Sequence, residues 1–552
     1  NNQLRQVMLS PRELVIDKIP VKVKTWVNRN LQYTHGYGVA MTPVNLVTSE
    51  GLPDLLIKDI PPVSKIDLTV TRPEIYFGEL TNNYIFVRTR TPEFDYPKGD
   101  ENMYTSYEGK GGVHVSSFVR RLAFATKFFD INILLSTYIT GKSRIMLNRN
   151  IKQRVRTIAP FLIYDNDPYI VISDEGRLYW IIDAYTITDR FPYSELYPGK
   201  RINYIRNSVK IIIDAYSGSV DFYLIDTTDP IVKSYSRIFP ELFKSFDEIP
   251  ADLKSHLRYP RDLFSIQADM YRSYHMVDVR VFYNQEDLWE TPSEVYSDNR
   301  QPMEPYYIIV KLLDEPKEEF LLMLPFTPSK KDNMIAWMAA RSDPEVYGEI
   351  LVYKLPKEKL IFGPMQIEAR IDQQTEISRE LTLWGQRGSR VIRGNLLVIP
   401  IGESFIYIEP VYLEARQEAE DFGGVERPTG FQRRRGAAGV LRPESQSAAL
   451  PELKMVIASY GNYLTMREDL NTALAEIFGK IPPAIAEEKP AIRAPAFIFP
   501  EKLQELVESA RNHYQRARQS LKEENWSAFG REWKQLENIL TELENRTKSG
   551  KK

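Results

Sequence analysis

The sequence contains no cysteine among its 552 residues. This absence excludes disulfide bonds, thiolate metal sites and cysteine nucleophiles. The chain also lacks the patterns of a phosphate-binding P-loop, a GxSxG nucleophile elbow, a GxGxxG dinucleotide fingerprint and an HExxH zinc motif. The few histidines are not paired at metal-ligand spacing: His35, His114, His256, His275 and His513. We therefore expect no redox or organic cofactor.

The chain also lacks a large excess of charge of one sign and long apolar runs. The net charge of −2 provides no overall field that would attract a polyanion, so we expect no nucleic-acid partner. A helix that spans a bilayer needs about 20 apolar residues. The nearest approach, residues 118–135, is interrupted by four charged residues: Arg120, Arg121, Lys127 and Asp130.

Aromatic residues, in contrast, are abundant: the 32 tyrosines and 25 phenylalanines favour strands and aromatic-rich cores. Residues 168–187 and 203–226 each predict a strand–turn–strand unit, and both contain the triplet Asp-Ala-Tyr, at 183–185 and 214–216. In the second unit we expect Asp214 to accept hydrogen bonds from turn amides and Gly218 to supply a positive φ. Helices are predicted for the apolar stretch 118–135, for the basic stretch that follows it, and for residues 332–343 with Asp332 as N-cap.

These patterns predict an α+β fold, with several antiparallel sheets, interspersed helices and a C-terminal helical hairpin. The segment 416–449 is rich in Gly, Arg, Ser and Ala and is predicted to be a disordered loop. The predicted organisation is an N-terminal α+β region with the two Asp-Ala-Tyr hairpin units (1–228), a second α+β region (229–415), the loop (416–449), a return to the core (450–480), a linker (481–499) and the helical hairpin (500–546).

Two acidic loop clusters are candidate sites for a hard cation such as Ca²⁺, which takes six to eight oxygen ligands. One contains Asp165 and Asp167, and the other contains Asp95, Asp100 and Glu101. Neither cluster has the spacing of an EF-hand. The alternative is that these carboxylates cap turns by accepting hydrogen bonds from nearby backbone amides.

A basic cluster is a candidate anion-binding site. It contains Arg144, Arg149, Lys152, Arg154 and Arg156, of which Arg149, Lys152 and Arg156 are predicted to share one helical face. Such a face could contact lipid headgroups or an anionic wall polymer. The alternative is a solvated face whose cations pair with local acidic residues.

Ten sequence segments, in order through residues 33–401, resemble uncharacterised protein family 0182, a family of large bacterial multi-pass membrane proteins. The segments are YTHGYGVAMTPVN (33–45), EGLPDLLIKDIPP (50–62), PEIYFGEL (73–80), EFDYPKGDEN (93–102), RRLAFA (120–125), RVRTIAPFLIYDNDPYIVI (154–172), INYIRNSVKIIIDAYSG (202–218), HLRYPRDLF (256–264), MLPFTPSKKDNMIAWMAARSD (323–343) and SRVIRGNLLVIPI (389–401). The resemblance implies several N-terminal transmembrane helices followed by a large extracytoplasmic domain, to which this chain corresponds. It transfers no catalytic residues.

The resemblance predicts a location at the cell membrane, with this domain on the extracytoplasmic side and held by a membrane segment N-terminal to residue 1. The expected role is non-catalytic, in binding or scaffolding at the cell envelope, with an envelope polymer, a lipid headgroup or a protein as partner. The alternative is an envelope hydrolase or transferase acting on cell-wall or lipid polymers. A pocket with convergent carboxylates would favour that alternative, and an aromatic groove would favour binding.

Overall fold

The computed structural model describes residues 4–479, except 313–314, 316, 357–359, 387–388, 402–403 and 416–450, and in the C-terminal part residues 513, 516, 528 and 531–536. The chain divides into two compact units, Asn1–Pro482 and Pro483–Lys552. The predicted loop 416–449 and linker 481–499 lie outside the described residues, as does most of the predicted hairpin 500–546. The nine described residues of that hairpin are helical, and His513 Nδ1 lies 2.7 Å from Glu532 Oε2.

The first part of the chain forms short strands in small antiparallel sheets. The first sheet has the order β1-β3-β4-β5, β2 pairs with β6, and β8 and β9 form a hairpin. The strands are β1 (Val7–Pro11), β2 (Gly36–Tyr37), β3 (Val39–Pro43), β4 (Ile57–Lys58), β5 (Val63–Ser64), β6 (Glu74–Ile75), β7 (Ile85–Val87), β8 (Glu93–Lys98), β9 (Glu101–Thr105) and β10 (Val113–His114).

The helical block follows: α1 (Phe118–Phe128), α2 (Asn132–Leu135) and α3 (Ile151–Ile158). Two helix starts have side-chain caps, since Ser117 accepts from the amide of Arg120 and Asn150 accepts from the amide of Gln153. Strand β11 (Arg144–Met146) lies between α2 and α3 and pairs with β10 and β7. The sequence predicted both the apolar and the basic helix, but the apolar one breaks after Phe128.

Next comes a six-stranded sheet that contains both predicted hairpin units. Its strands are β12 (Ile163–Tyr164), β13 (Tyr169–Ile172), β14 (Leu178–Thr188), β15 (Tyr204–Asp214), β16 (Val220–Leu224) and β17 (Phe243–Ser245). The Asp214 prediction is confirmed, because its Oδ1 accepts from the amides of Tyr216 and Ser217 at 2.8 Å each and Gly218 has φ 70°. The first Asp-Ala-Tyr triplet lies within β14, where Asp183 is opposite Lys210.

Two further sheets follow a group of helices. The helices are α4 (Pro230–Ile238), α5 (Ala251–Lys254), α6 (Arg261–Tyr274) and α7 (Val279–Asn284), and the strands are β18 (Trp289–Glu290), β19 (Ser293–Tyr296), β20 (Asn299–Pro302), β21 (Tyr306–Lys311), β22 (Glu318–Pro328), β23 (Ala336–Arg341) and β24 (Ile350–Lys354). Strands β19 and β20 form a two-stranded sheet, and the other five strands form the larger one. Strand β23 replaces the helix predicted at 332–343, so that prediction is wrong. All six of its residues are buried between β22 and β24, and such a run has no alternating pattern to distinguish a strand from a helix.

The last sheet has the order β25-β27-β28-β29, with β26 beside β27. Its strands are β25 (Ser389–Arg393), β26 (Leu397–Ile401), β27 (Ser404–Ala415), β28 (Glu452–Tyr460) and β29 (Tyr463–Arg467). Helices α8 (Pro364–Gln373) and α9 (Thr375–Gly385) precede it, and α10 (Leu470–Phe478) follows it. The described architecture is α+β with mostly antiparallel sheets, as predicted. One large apolar core contains Trp180 and Phe222, and another contains Trp289, Phe326 and Tyr407.

Candidate functional site

A cleft of about 900 Å³ is lined by residues of both cores. Four strands from four sheets contribute to its walls: β1, β13, β21 and β26. Among the described residues, each of these strands pairs with a single neighbour, so each forms an edge of its sheet. The side chains that line the cleft are largely apolar and aromatic and include Leu9, Met41, Ile170, Met303, Tyr306 and Phe320.

An arginine is held between two aromatic rings in this cleft. The guanidinium carbon of Arg258 lies 3.8 Å from the ring centroid of Tyr169 and 4.8 Å from that of Tyr307. Its Nη2 donates to Asp167 Oδ2 at 3.0 Å. Burial raises the pKa of both tyrosines above their ordinary value, so both rings stay neutral at physiological pH. Cation–π attraction to two neutral rings helps to fix the position of the guanidinium.

A buried ion pair is hydrogen-bonded to the backbone of this arginine. Lys210 Nζ donates to the carbonyl of Arg258 at 2.8 Å and lies 2.5 Å from Asp183 Oδ1. Burial lowers the pKa of Lys210 and raises the pKa of Asp183, while their mutual attraction opposes both shifts. The pair therefore fixes the loop between α5 and α6, from which Arg258 reaches the cleft.

The acidic loop 165–167 positions the carboxylate that meets Arg258. Asp165 is buried, its Oδ1 accepts from the amide of Asp167 at 2.8 Å, and its Oδ2 accepts from the hydroxyl of Tyr185 and from the amide of Asp262 at 3.1 Å. Asp262 in turn accepts from the side-chain amide of Asn166 at 2.7 Å. Asp165 thus stabilises a turn, and Asp167 faces the cleft.

The second acidic cluster lies elsewhere, on the β8–β9 hairpin. Asp95 Oδ1 is 3.3 Å from His35 Nε2, whereas Asp100 and Glu101 are exposed at the turn. In the described part of the chain, no three His, Asp or Glu side chains are grouped so that they could hold a metal ion. The geometry therefore adds no support to the calcium hypothesis for either cluster.

The basic cluster is dispersed in the structure. Arg149 precedes α3 and is buried, where it donates to the backbone carbonyls of Thr34 and Tyr76, and burial lowers its pKa to about 10. The prediction that Arg149 shares a helical face with Lys152 and Arg156 is therefore wrong.

The other cations of the cluster have different surroundings. Arg144 donates to the carbonyls of Lys110, Gly111 and Gly112, and Arg154 donates to that of Gly218. Lys152 Nζ lies 3.0 Å from Glu79 Oε2, and Arg156 is exposed on α3. An anion-binding role for these residues stays a prediction.

The carboxylates that line the cleft already have partners. Besides Asp167, they are Glu79, which pairs with Lys152, Glu304, which lies 2.8 Å from Arg261, and Glu294. Glu294 accepts from the side-chain amide of Asn395 at 2.7 Å and from the amide of Leu396 at 2.9 Å. A carboxylate held in this way is poorly placed to transfer protons.

Sequence reasoning missed the central residues of the cleft. Tyr169, Arg258 and Tyr307 come from separate segments, and no short motif connects them. The sequence indicated Asp167 as a possible metal ligand, and in the structure it accepts a hydrogen bond from Arg258. None of the helices in the described residues combines the length and the apolar character needed to cross a bilayer.

Comparison with known proteins gives a consistent result over nearly the whole chain. Residues 1–384 match the family described as Uncharacterised protein family (UPF0182). Proteins named UPF0182 protein from Pelotomaculum thermopropionicum, Sulfurovum sp. and Trichodesmium erythraeum are 49%, 51% and 48% identical over 99% of this chain. The chain spans 56%, 56% and 58% of those relatives, a little more than half of their length. No solved structure matches it. The chain belongs to the uncharacterised protein family UPF0182.

Proposed function

We propose that this chain is a non-catalytic binding domain of a bacterial integral membrane protein and that it lies on the extracytoplasmic side of the cell membrane. Its cleft binds an elongated apolar ligand that carries an anionic group, such as an envelope lipid or a lipid-linked polymer. The observation that carries the proposal is the arginine that lines the apolar cleft, in contact with the rings of Tyr169 and Tyr307.

The chemistry of the cleft supports such a ligand. Apolar walls favour the hydrocarbon part, because its transfer out of water is favourable. The cation at Arg258 favours an anionic oxygen, and its bond to Asp167 uses only Nη2 of a guanidinium that has five N–H donors. An anion that reaches the remaining donors would form charge-assisted hydrogen bonds, the strongest kind in proteins.

The pairing of the lining carboxylates supports binding over catalysis. A hydrolase or transferase needs a carboxylate or histidine that can exchange a proton with the substrate. Asp167, Glu79 and Glu304 each pair with a cation instead. A catalytic role for these three carboxylates would require their ion pairs to open.

The membrane location is supported by the family layout and by the greater length of the relatives, of which the chain spans 56–58%. Cells that express the full-length gene should retain the protein in the membrane fraction, with this domain accessible to protease added outside the cytoplasmic membrane. Recovery of the protein in the soluble cytosol would contradict this part of the proposal.

Binding is tested with two ligands that differ only in their headgroup, dodecyl phosphate and dodecanol. The phosphate should bind more tightly, and Arg258→Gln should remove that preference. A hydrogen bond to a charged group contributes about 1.5–3 kcal/mol, so the expected loss of affinity for the phosphate is roughly tenfold to a hundredfold. Calorimetric titration measures both affinities.

Arg237→Gln is the matched control, since this arginine is exposed on α4 and does not line the cleft. It should leave both affinities unchanged. Equal binding of the two ligands by the unaltered protein would contradict the proposed anion. Release of new products from purified envelope material would instead support the hydrolase alternative.

A further inference from the structure

A second surface, separate from the cleft, exposes large apolar side chains to solvent. On α1 and the segment after it, Phe118 is 70% exposed, Phe129 is 94% exposed and Leu135 is 70% exposed. Val119, Leu122 and Ile131 of the same segment are exposed as well. We call these six residues the α1 surface. An exposed group of apolar side chains of this kind marks an interaction site.

The opposite side of α1 already has its partners. Phe124, Ala125 and Phe128 pack in a small core that includes Leu31, Phe86 and Ile145. The helix is therefore apolar on two sides, although the fold buries only one. A group of large apolar side chains that stays exposed in a folded protein is normally covered by a partner, so the α1 surface needs an occupant of its own.

The segment that carries the α1 surface has an excess of positive charge. Residues 116–143 contain four cationic residues, Arg120, Arg121, Lys127 and Lys142, and a single acidic one, Asp130. Asp130 accepts from the indole of Trp26 at 2.6 Å and from the hydroxyl of Tyr84, so its carboxylate is held by residues of the fold. Arg120 and Lys127 are exposed on α1, among the apolar side chains.

The end of α1 directs one ring outward. Phe129 ends the helix in the left-handed region, with φ 52° and ψ 40°, where glycine is the usual residue. Its amide donates back to the carbonyls of Ala125 and Thr126, which closes the last helical turn. The backbone therefore fixes the most exposed phenylalanine of the surface at a sharp reversal of the chain.

We propose that the α1 surface binds an anionic phospholipid bilayer, with its apolar side chains in the interfacial region and Arg120 and Lys127 at the level of the phosphates. Cations interspersed among apolar side chains fit this environment, because their alkyl stems can cross the apolar layer while their charges reach the headgroups. The inference is independent of the cleft and its ligand.

Co-sedimentation with vesicles tests the proposal. The 552-residue chain should sediment with phosphatidylglycerol vesicles and much less with phosphatidylcholine vesicles, and higher salt should weaken the binding. Each cationic residue near such a surface contributes roughly fivefold to the partition coefficient. The triple variant Phe118→Ser, Phe129→Ser, Leu135→Ser should lower that coefficient by about tenfold or more.

The control variant carries three substitutions of similar exposure in and just before α7. Val277, Val279 and Tyr283 are 92%, 79% and 85% exposed, and replacing all three with serine should leave vesicle binding unchanged. Circular dichroism of both triple variants checks that the fold is intact. Equal losses in the two variants would overturn the proposal.

Because the chain has no cysteine, a single introduced thiol can report whether a chosen position enters the bilayer. Phe129→Cys or Val279→Cys introduces a single thiol, to which an environment-sensitive fluorophore can be attached. Phosphatidylglycerol vesicles should shift the emission to the blue at position 129 and not at position 279. An unchanged emission at 129 would overturn the proposal. So would a shift that depends on protein concentration in the absence of lipid, which would identify a second copy of the chain as the occupant.

Discussion

At the scale of single residues, the structure places several charges in its interior and satisfies each through specific partners. The side chain of Lys210 is fully buried, and it is held by Asp183 and by the carbonyl of Arg258. In another buried cluster, Arg393 bonds to Glu368 and Glu409. Removing one partner of such a pair leaves an uncompensated buried charge, which costs far more than the pair contributes.

Lys210→Met should destabilise the protein by about 3–5 kcal/mol, because Asp183 would remain buried without its cation. Urea unfolding measures the change. Lys244→Met is the control, since its pair with Asp221 is about 45% and 36% exposed at the two side chains and should contribute less than about 1 kcal/mol. Similar effects of the two substitutions would contradict a special role for the buried pair.

The Glu368 cluster predicts a dependence of stability on pH. Burial, followed by the negative charge of Glu409, raises the pKa of Glu368 from 4.5 to about 8, against the attraction of Arg393. A carboxyl with a raised folded pKa binds its proton more tightly in the folded state. Its contribution to stability is therefore full below pH 4.5 and is lost as the pH rises towards about 8.

Glu368→Gln should flatten this part of the pH profile, because the amide resembles the protonated acid and does not titrate. Unfolding midpoints in urea across that pH range measure it. Glu349→Gln, at a side chain that is 56% exposed beside Arg341, should leave the profile unchanged. An equal slope in unaltered protein and Glu368→Gln would show that another group causes the dependence.

At the scale of elements, the sequence predicted correctly the hairpins whose formation depends on neighbouring residues. The hairpins of β13–β14 and β15–β16 follow from alternating residues around Gly176 and Gly218, and both form. The strand β23 was missed because its register is set by β22 and β24, which lie on either side of it. Its apolar residues, buried on both faces, fit a helix or a strand equally well until those neighbours are known.

Gly218→Ala tests the second hairpin turn. Gly218 has φ 70°, and an added Cβ would lie 2.4 Å from the ring of Phe77, so the substitution should cost more than about 2 kcal/mol. Gly199→Ala is the matched control, since Gly199 has φ 75° and no atom within 4 Å of the added Cβ. It should cost only about 1 kcal/mol. Thermal unfolding of both variants separates the contact from the backbone conformation.

At the scale of the whole molecule, the cleft is a product of tertiary assembly. Tyr169, Arg258 and Tyr307 meet although 89 and 49 residues separate them along the chain. The sequence could select Asp167 because an acidic loop is visible locally. It could not identify Arg258 as the partner of Asp167, since that contact depends on how the sheets of β13 and β21 and the loop before α6 come together.

A ligand that bridges these parts should stabilise the folded chain as a unit. Dodecyl phosphate at a hundred times its dissociation constant should add about 2.7 kcal/mol to the free energy of unfolding and raise the melting temperature. Arg258→Gln should reduce the increase to about 0.4–1.4 kcal/mol at the same ligand concentration, and Arg237→Gln should retain it. A melting temperature that does not respond to dodecyl phosphate would contradict binding in the cleft.

The four edge strands around the cleft also bear on how the molecule avoids aggregation. An unpaired strand edge is a template onto which a strand of another molecule can add, and such addition leads to fibrils. Here β1, β13, β21 and β26 border one shared cavity, where an incoming strand would have to enter between existing walls. Substitutions that separate these walls would expose several unpaired strand edges at once. The protein should therefore self-associate under conditions in which it is still largely folded.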